Sequence, residues 1–522
     1  MKKVKNIFSC FFYILHFTFF LLIIITLLSC TTGPQSGNLT GTVQLAGEAD
    51  HGGIVIGVYE LAELDPDIVE ANQNWPHIGV IINQHTEFDH RFGTLVKTGE
   101  TDASGYFEIT DIPTGVYNIV AIKDSFGFRY IYEISISAGD NSITEKRKKE
   151  KVKSKKADND EDSSFNLLPL SFNLNKSRAD LTFYPETIIS SDITTPTTLE
   201  SFHHYIIEQD IIVDDELTIE PGAVIRLNEG VKMSIYGDLI AVGEEDKFIW
   251  FTSNDSLFSL FPSPFSPITS LFEYKLIELD GTLNKQVSFC KFEHAGTGLL
   301  NHVNGFDISD CIFRDSQCGF KAEDVDSTLC SNLLCDGIDN LEQAGIYFLQ
   351  AVSGIIEKNL IIKCEKGVRI KDNSSPMVEN NYFFECEYGL ELFESSSDVK
   401  HNEFINNLNG VRVCGPTSPE LSYNHFNSDI AMVIGFSGYY PSATPLVRYN
   451  NINSKNYFFY VLYTSEKNVE ATNNYYYTSD IEIIKIKIFD KEDYPLEQQY
   501  RVGIINFEPF SLVENNGGGI DI

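Results

Sequence analysis

Between Ile355 and Val413 one pattern of apolar and polar positions is written three times. Each copy reads aliphatic, two polar, Asn, any, apolar, two variable, Cys or Asn, two variable, Gly, then an alternating apolar strand. The copies run Ile356 to Ile370, Val378 to Leu392 and Val399 to Val413. Their key residues Asn359, Asn381 and Asn402 stand 22 and 21 residues apart. A unit this short cannot bury its own apolar face, so copies must stack into a solenoid.

The pattern extends in both directions. An Asn/Cys column is predicted at Cys290, Cys311, Asn332, Asn359, Asn381, Asn402, Asn424, Asn450 and Asn473. Two residues later runs an apolar column of Phe292, Phe313, Leu334, Ile361, Phe383, Phe404, Phe426, Ile452 and Tyr475. Period-two alternation puts this second column inside, stacked coil on coil. Asn suits the bend because it tolerates the left-handed conformation and its amide can bond the next Asn along the axis. Three short strands per coil fit this period, whereas the spaced leucines of a leucine-rich repeat are absent. Steps of 27 and 26 residues predict loops near Asp336–Gln343 and Gly435–Thr444.

Earlier in the chain the pattern differs. From Leu39 to Ala121 short alternating strands are separated by turns such as Asp102-Ala-Ser-Gly105 and Pro113-Thr-Gly115, which sets 39–140 apart as a separate strand-rich domain. Within it, Leu61 to Thr94 reads as an exposed polar insertion carrying His85, Glu87, Asp89 and His90. Opposed charge blocks, Lys146 to Lys156 and then Asp158 to Asp162, predict a solvated linker over 141–165. The solenoid is expected over 200–515, with Leu257 to Thr269 as an excursion. Its close, Asn473-Asn474-Tyr475-Tyr476-Tyr477 and then Phe507-Glu-Pro509-Phe510, reads as a cap.

Residues 1–30 form a targeting segment: Lys2, Lys3 and Lys5, an apolar run from Phe8 to Leu28, then Leu27-Leu28-Ser29-Cys30. That ending resembles the bacterial lipobox. The resemblance implies cleavage before Cys30, lipid on its thiol, and, with Thr31 next, an outer-membrane or cell-surface location. The expected mature chain carries a net charge of −38, against −35 for all 522 residues. Such acidity argues against a nucleic-acid partner. Hydrophobic residues at 43% suffice for a large core.

Further resemblances follow from quoted residues. Gly41-Thr-Val43, Thr101-Asp-Ala-Ser-Gly105-Tyr-Phe107 and Pro113-Thr-Gly-Val-Tyr117 resemble the carboxypeptidase regulatory-like family, a prealbumin-like β-sandwich. This implies a spacer or binding module. Ile219-Glu-Pro-Gly222 and Gly237-Asp-Leu-Ile-Ala-Val-Gly243 resemble the first coils of bacterial right-handed parallel β-helix (pectin-lyase-like) proteins. The fold class is therefore read as all-β: a right-handed parallel β-helix solenoid preceded by a small β-sandwich.

Chemistry is harder to read. Gly367-Val-Arg369-Ile-Lys371 resembles a polygalacturonase motif, but Gly410-Val-Arg412-Val repeats it. Arg369 is thus an outward residue of an ordinary repeat strand, and no catalytic residue is assigned. Glu323, Asp324, Asp326, Asp336 and Asp339 are the candidate acidic cluster for a ligand or calcium. Phe436, Tyr439 and Tyr440 are the candidate aromatic patch for sugar stacking. Eight of the ten cysteines fall in the repeats and read as buried thiols, with Cys364 and Cys386 placed as neighbours. No cofactor is assigned. The leading reading is a lipid-anchored binding or display module for polysaccharide. A polysaccharide lyase or hydrolase with an acidic site outside known motifs, and a structural spacer or protein scaffold, stay open beside it.

Overall fold

The computed structural model describes residues 35–143, 182–254, 275–281, 284–338, 343–350, 352–435, 443–462, 467–496, 499 and 502–521. The lipobox Cys30, most of the charged linker, the Leu257–Thr269 excursion, Asp339 and the Phe436–Tyr440 patch lie outside them. The chain forms two compact units. Residues 63–88 belong with Tyr184 onward, while the rest of the N-terminal part, through Phe183, forms the other unit.

The first unit is built mainly from antiparallel strands, with Gly139–Ser142 joining Ser36–Thr42 in parallel. One sheet orders Tyr106–Pro113, Ser36–Thr42 and Gly139–Ser142; the other orders Leu95–Glu100, Val55–Tyr59, Gly115–Lys123 and Gly127–Ile136. Leu39, Phe107 and Ile109 from the first share a core with Ile56, Val58, Ile119 and Ala121 from the second. The Asp102 turn forms as expected. Its carboxylate accepts from Ser104 N at 2.8 Å and Tyr106 N at 3.1 Å, and Gly105 takes φ 82°. Tyr117 donates its hydroxyl to Pro113 O at 3.0 Å, tying strand to turn. Thr182–Phe183 pairs with Gln44–Leu45, so the chain returns to this unit before leaving it.

The second unit is a right-handed parallel β-helix of three sheets, with 12, 13 and 12 strands among the described residues. Sheet I runs from Thr187–Ile189 to Asn451–Ile452, sheet II from Thr197–Leu199 to Ile505–Asn506, and sheet III from Ile211–Val213 to Ile488–Phe489. The first coil therefore begins at Thr187 rather than near residue 200. Phenylalanines stack inside sheet I. The pairs Phe251–Phe292, Phe292–Phe313, Phe383–Phe404 and Phe404–Phe426 have ring centroids 4.7 to 5.0 Å apart. That distance is the strand spacing of a sheet.

The Asn column is a continuous amide ladder. Asn381 Nδ2 donates to Asn402 Oδ1 and Asn402 Nδ2 to Asn424 Oδ1, each at 2.9 Å. Asn424 reaches Asn450, and Asn450 reaches Asn474, each at 3.0 Å. All of these residues are fully buried. Two members differ from the sequence reading. Strand register aligns Leu333, not Asn332, with Asn359, and the ladder ends on Asn474, not Asn473. The apolar column correspondingly passes through Cys335 and Tyr476 instead of Leu334 and Tyr475. The left-handed bend also sits one residue earlier than expected. Asn332, Lys358, Asn380, His401, Tyr423, Tyr449 and Asn473 all have φ of 53° to 59°. The ladder Asn itself serves the hydrogen bonds, and its predecessor serves the turn.

Gly367 illustrates the glycine position of the repeat. A Cβ there would lie 2.6 Å from Gly389 O and 2.9 Å from Ile361 Cγ2, so close coil packing, not an unusual φ, demands glycine.

The insertion is not a free polar loop. A helix, Pro66–Asn74, starts with Asp65 accepting from Asp67 N and Ile68 N. Ile68, Ala71, Ile78, Val80 and Ile82 then pack on Ile312, Leu334, Leu360 and Ile362, which face outward from sheet I. The alternation Ile78, Val80, Ile82 was the sequence signal for a half-buried segment. At the far end Tyr476, Phe458, Phe510 and Ile484 close the core. Residues after Ser511 turn back along the coil edge rather than continuing the cap. Asn515 N bonds Asn451 Oδ1 at 2.8 Å, and Asp521 N bonds Asn380 Oδ1 at 2.9 Å.

Candidate functional site

A network of ionisable side chains lies on the outer side of sheet I. Phe292 points inward, so period two turns its neighbours Lys291 and Glu293 outward. Lys291 Nζ is 2.8 Å from Glu293 Oε1, and Trp250 Nε1 donates to Glu293 Oε2 at 2.9 Å. Strand register stacks Glu293, Arg314 and Asp336 on successive turns. Arg314 Nε lies 3.0 Å from Asp336 Oδ2, and its Nη1 lies 3.0 Å from Glu87 Oε2 of the insertion.

These neighbours divide the carboxyl groups. Burial pushes Glu293 up, but Lys291, His294 and Arg314 outweigh it and hold the group below its usual range. Burial and the Glu293 charge push Asp315 up. Burial likewise raises Asp336, against the pull of Arg314. An ionised carboxylate beside carboxyl groups that resist ionisation is the arrangement used for acid–base chemistry. Here, however, the Glu293 and Arg314 side chains are only 5% and 13% exposed. In this state the cluster clamps Glu87 and its segment.

Of the acids expected to form one cluster, the four described, Glu323, Asp324, Asp326 and Asp336, do not come together as one group. Glu323 closes a strand of sheet III and pairs with Lys321 at 3.0 Å. Asp324 takes the left-handed corner position, φ 54°, with its N–H on Leu349 O. Asp326 follows the corner and accepts from Ser353 Oγ at 3.3 Å. Asp336 faces out of sheet I, around the coil. A corner separates the sheets, so closeness in sequence does not become closeness in space. Among the described residues no group of three His, Cys, Asp or Glu side chains is placed to hold a metal ion. Glu87 is taken by Arg314, while His90 contacts Tyr130 Oη at 2.8 Å in the other unit. Arg369 is a rung of sheet III between Tyr347 and Glu391, 2.8 Å from Glu391 Oε2. The eight cysteines among the described residues are buried free thiols, Cys364 and Cys386 included.

One half-buried feature was not anticipated, and the C-terminal tail runs beside it, with His401 Nδ1 2.8 Å from Gly517 O and Gly519 N donating to Tyr423 O at 2.8 Å. The left-handed corner residues His401, Tyr423 and Tyr449 stack along the coil edge, with centroids 5.4 Å apart at each step. On the adjoining outer face of sheet II, Lys400 pairs with Glu379 at 3.1 Å and Arg448 with Glu420 at 2.7 Å. The Lys400 and Arg448 side chains are 37% and 39% exposed. Arg448 also lies over the Tyr449 ring at 5.8 Å. The signal was present in the sequence as the residue just before each ladder Asn. Ring edges, phenolic hydroxyls and two cations thus line one strip.

With that geometry in hand, comparison with known proteins gives one match. Residues 273–426 and, overlapping them, 338–476 match a family model described as "Right handed beta helix region". No curated protein and no solved structure matches the chain.

Proposed function

We propose that this protein is a lipid-anchored cell-surface module that binds or displays polysaccharide, with Cys30 as the lipid attachment site and the β-sandwich as a regulatory-like spacer. The observation that carries the ligand class is the strip of His401, Tyr423, Tyr449, Lys400 and Arg448. An extended glycan can lie along the coil axis, with its rings against the aromatic edge and its hydroxyl or carboxylate groups on the cations. A glycan array with the purified soluble chain, followed by affinity electrophoresis on any hit, tests this. Tyr449→Ala and Arg448→Ala should each weaken binding about 5-fold or more, the loss of about 1 kcal/mol per contact. Equal binding by wild type and both variants would sink the strip as the site, and an array with no hits favours a spacer or scaffold. Separately, Cys30→Ala should abolish incorporation of labelled palmitate and release the protein from the membrane fraction.

A second reading rests on the split carboxyl pair Glu293 and Asp315. If the chain cleaves glycans, this pair is the acid–base centre to suspect. Screening uronate-containing and neutral polysaccharides, with and without calcium, decides it. Product formation lost in Asp315→Asn would make the protein an enzyme.

A further inference from the structure

The outer side of sheet I presents Ile312, Leu334 and Leu360 on three successive turns, with Ile362 on the same strand as Leu360, all fully buried. A solvent-facing sheet would carry polar side chains there, so this row needs a cover. The cover is residues 64–87. They belong by packing to the β-helix, yet their flanks Ala62 and Asp89 belong to the other unit. The segment therefore sits on the solenoid as a ligand would, held near it by chain connectivity rather than by continuity with a coil.

Its chemistry is that of a ligand too. Residues 63–88 carry five acids, Glu63, Asp65, Asp67, Glu70 and Glu87, and no Lys or Arg. The helix Pro66–Asn74 supplies its own cap through Asp65, and Asn72 braces the following turn by bonds to Val80 O and Ile82 N. Its apolar face enters the row of sheet I. At the rim, Lys363 Nζ meets Asp65 Oδ2 at 2.6 Å and Asp67 Oδ2 at 3.0 Å, and Arg314 meets Glu87. One main-chain bond, Gly79 N to Lys358 O at 2.8 Å, fixes the register. An amphipathic helix laid into an apolar groove with matched charges at the rim is a recurring recognition mode.

We propose that the outer side of sheet I is a recognition groove for an acidic amphipathic helix of a partner protein, occupied in the free chain by residues 64–87 as a self-ligand. A partner must displace this strap. Ile520, which packs against the same apolar cluster, must yield in the same step. The inference is argued from different residues than the glycan-binding reading, which concerns the corner residues His401, Tyr423 and Tyr449 and the outer face of sheet II.

The probe is a fluorescent synthetic peptide of residues 63–88, titrated by anisotropy into the full chain and into an Ile68→Asp/Ile78→Asp variant. Both substitutions lie on the strap and leave the groove intact. The variant should take up the peptide, and wild type should take up far less because its own strap competes. Adding Lys363→Glu to the variant should weaken uptake about 5-fold or more, the size of a partly buried ion pair. A variant that keeps its sheet circular dichroism but takes up no peptide overturns the proposal, as does uptake indifferent to Lys363→Glu. Should the variant fail to fold, hydrogen exchange on wild type decides. Amides of 66–88 should exchange well before those of 360–413, and equal protection overturns the proposal.

Discussion

At the scale of single residues, Asn does two separate jobs in this repeat. Asn402 is buried, accepts from Asn381 N and Nδ2, and donates to Asn424 Oδ1, Val378 O and Lys400 O. Asn332 instead occupies a left-handed corner, φ 53°, with one side-chain bond to Asp310 Oδ1 at 3.3 Å. The two should respond differently to truncation. Asn402→Ala strands several buried polar groups and should cost about 3–5 kcal/mol, at about 1–3 kcal/mol for each unsatisfied group. Asn332→Ala should cost only about 1 kcal/mol, the left-handed penalty of a residue with Cβ. Chemical denaturation monitored by sheet circular dichroism ranks them, and equal losses would contradict the assigned register. The sequence shows Asn at both positions, and spacing alone could not say which job each performs. That is why the column read from it slipped at Asn332 and Asn473. The slip falls at the ends of longer steps, where the count of residues per coil no longer guides alignment.

At the scale of elements, a one-residue slip exchanges inside for outside. Leu334 was read as core and is instead part of the floor beneath the strap, while Cys335 takes the core position. The coil grammar was legible because Gly367, Gly389 and Gly410 and the Phe and Asn columns recur at fixed offsets. The strap was not, because the helix Pro66–Asn74 has an apolar face matched only to a sheet nearly 250 residues further along. The described acids Glu323, Asp324, Asp326 and Asp336 stay apart for a related reason. They are close in sequence but straddle coil corners, which point them from different faces. Packing under the strap gives a direct test. Leu360 is fully buried outside the solenoid core, so Leu360→Ala should remove about 3 kcal/mol, typical of a large-to-small change. That loss should appear as faster limited proteolysis within 63–88, with the coils still resistant. Coils digested at the same rate as the strap would mean that Leu360 supports the solenoid itself.

At the scale of the whole molecule, the two units carry histidines with opposite pH behaviour. His90 lies in the first unit against Tyr130 Oη and within 4.8 Å of the Phe128 ring. Burial pushes its pKa down to about 4, against a smaller opposing pull from Asp89. The folded first unit therefore binds fewer protons than its unfolded chain. Its stability from this site is complete above pH ~6.5 and is lost as pH falls from there toward ~4, amounting to roughly 3 kcal/mol. His425, in the β-helix, is raised instead. Burial lowers it, but Glu403 at 2.6 Å and Glu514 outweigh that. A raised histidine adds stability that is complete below pH ~6.5 and fades as pH climbs through its folded value. Asp315 and Asp336, raised by burial, also favour the β-helix on the acid side. Scanning calorimetry at pH 7 and pH 4.5 should therefore show the transition of the first unit falling while that of the β-helix holds. His90→Phe should flatten the first response and leave the second alone. A first transition that still drops in His90→Phe would move the acid sensitivity to another group in the sandwich.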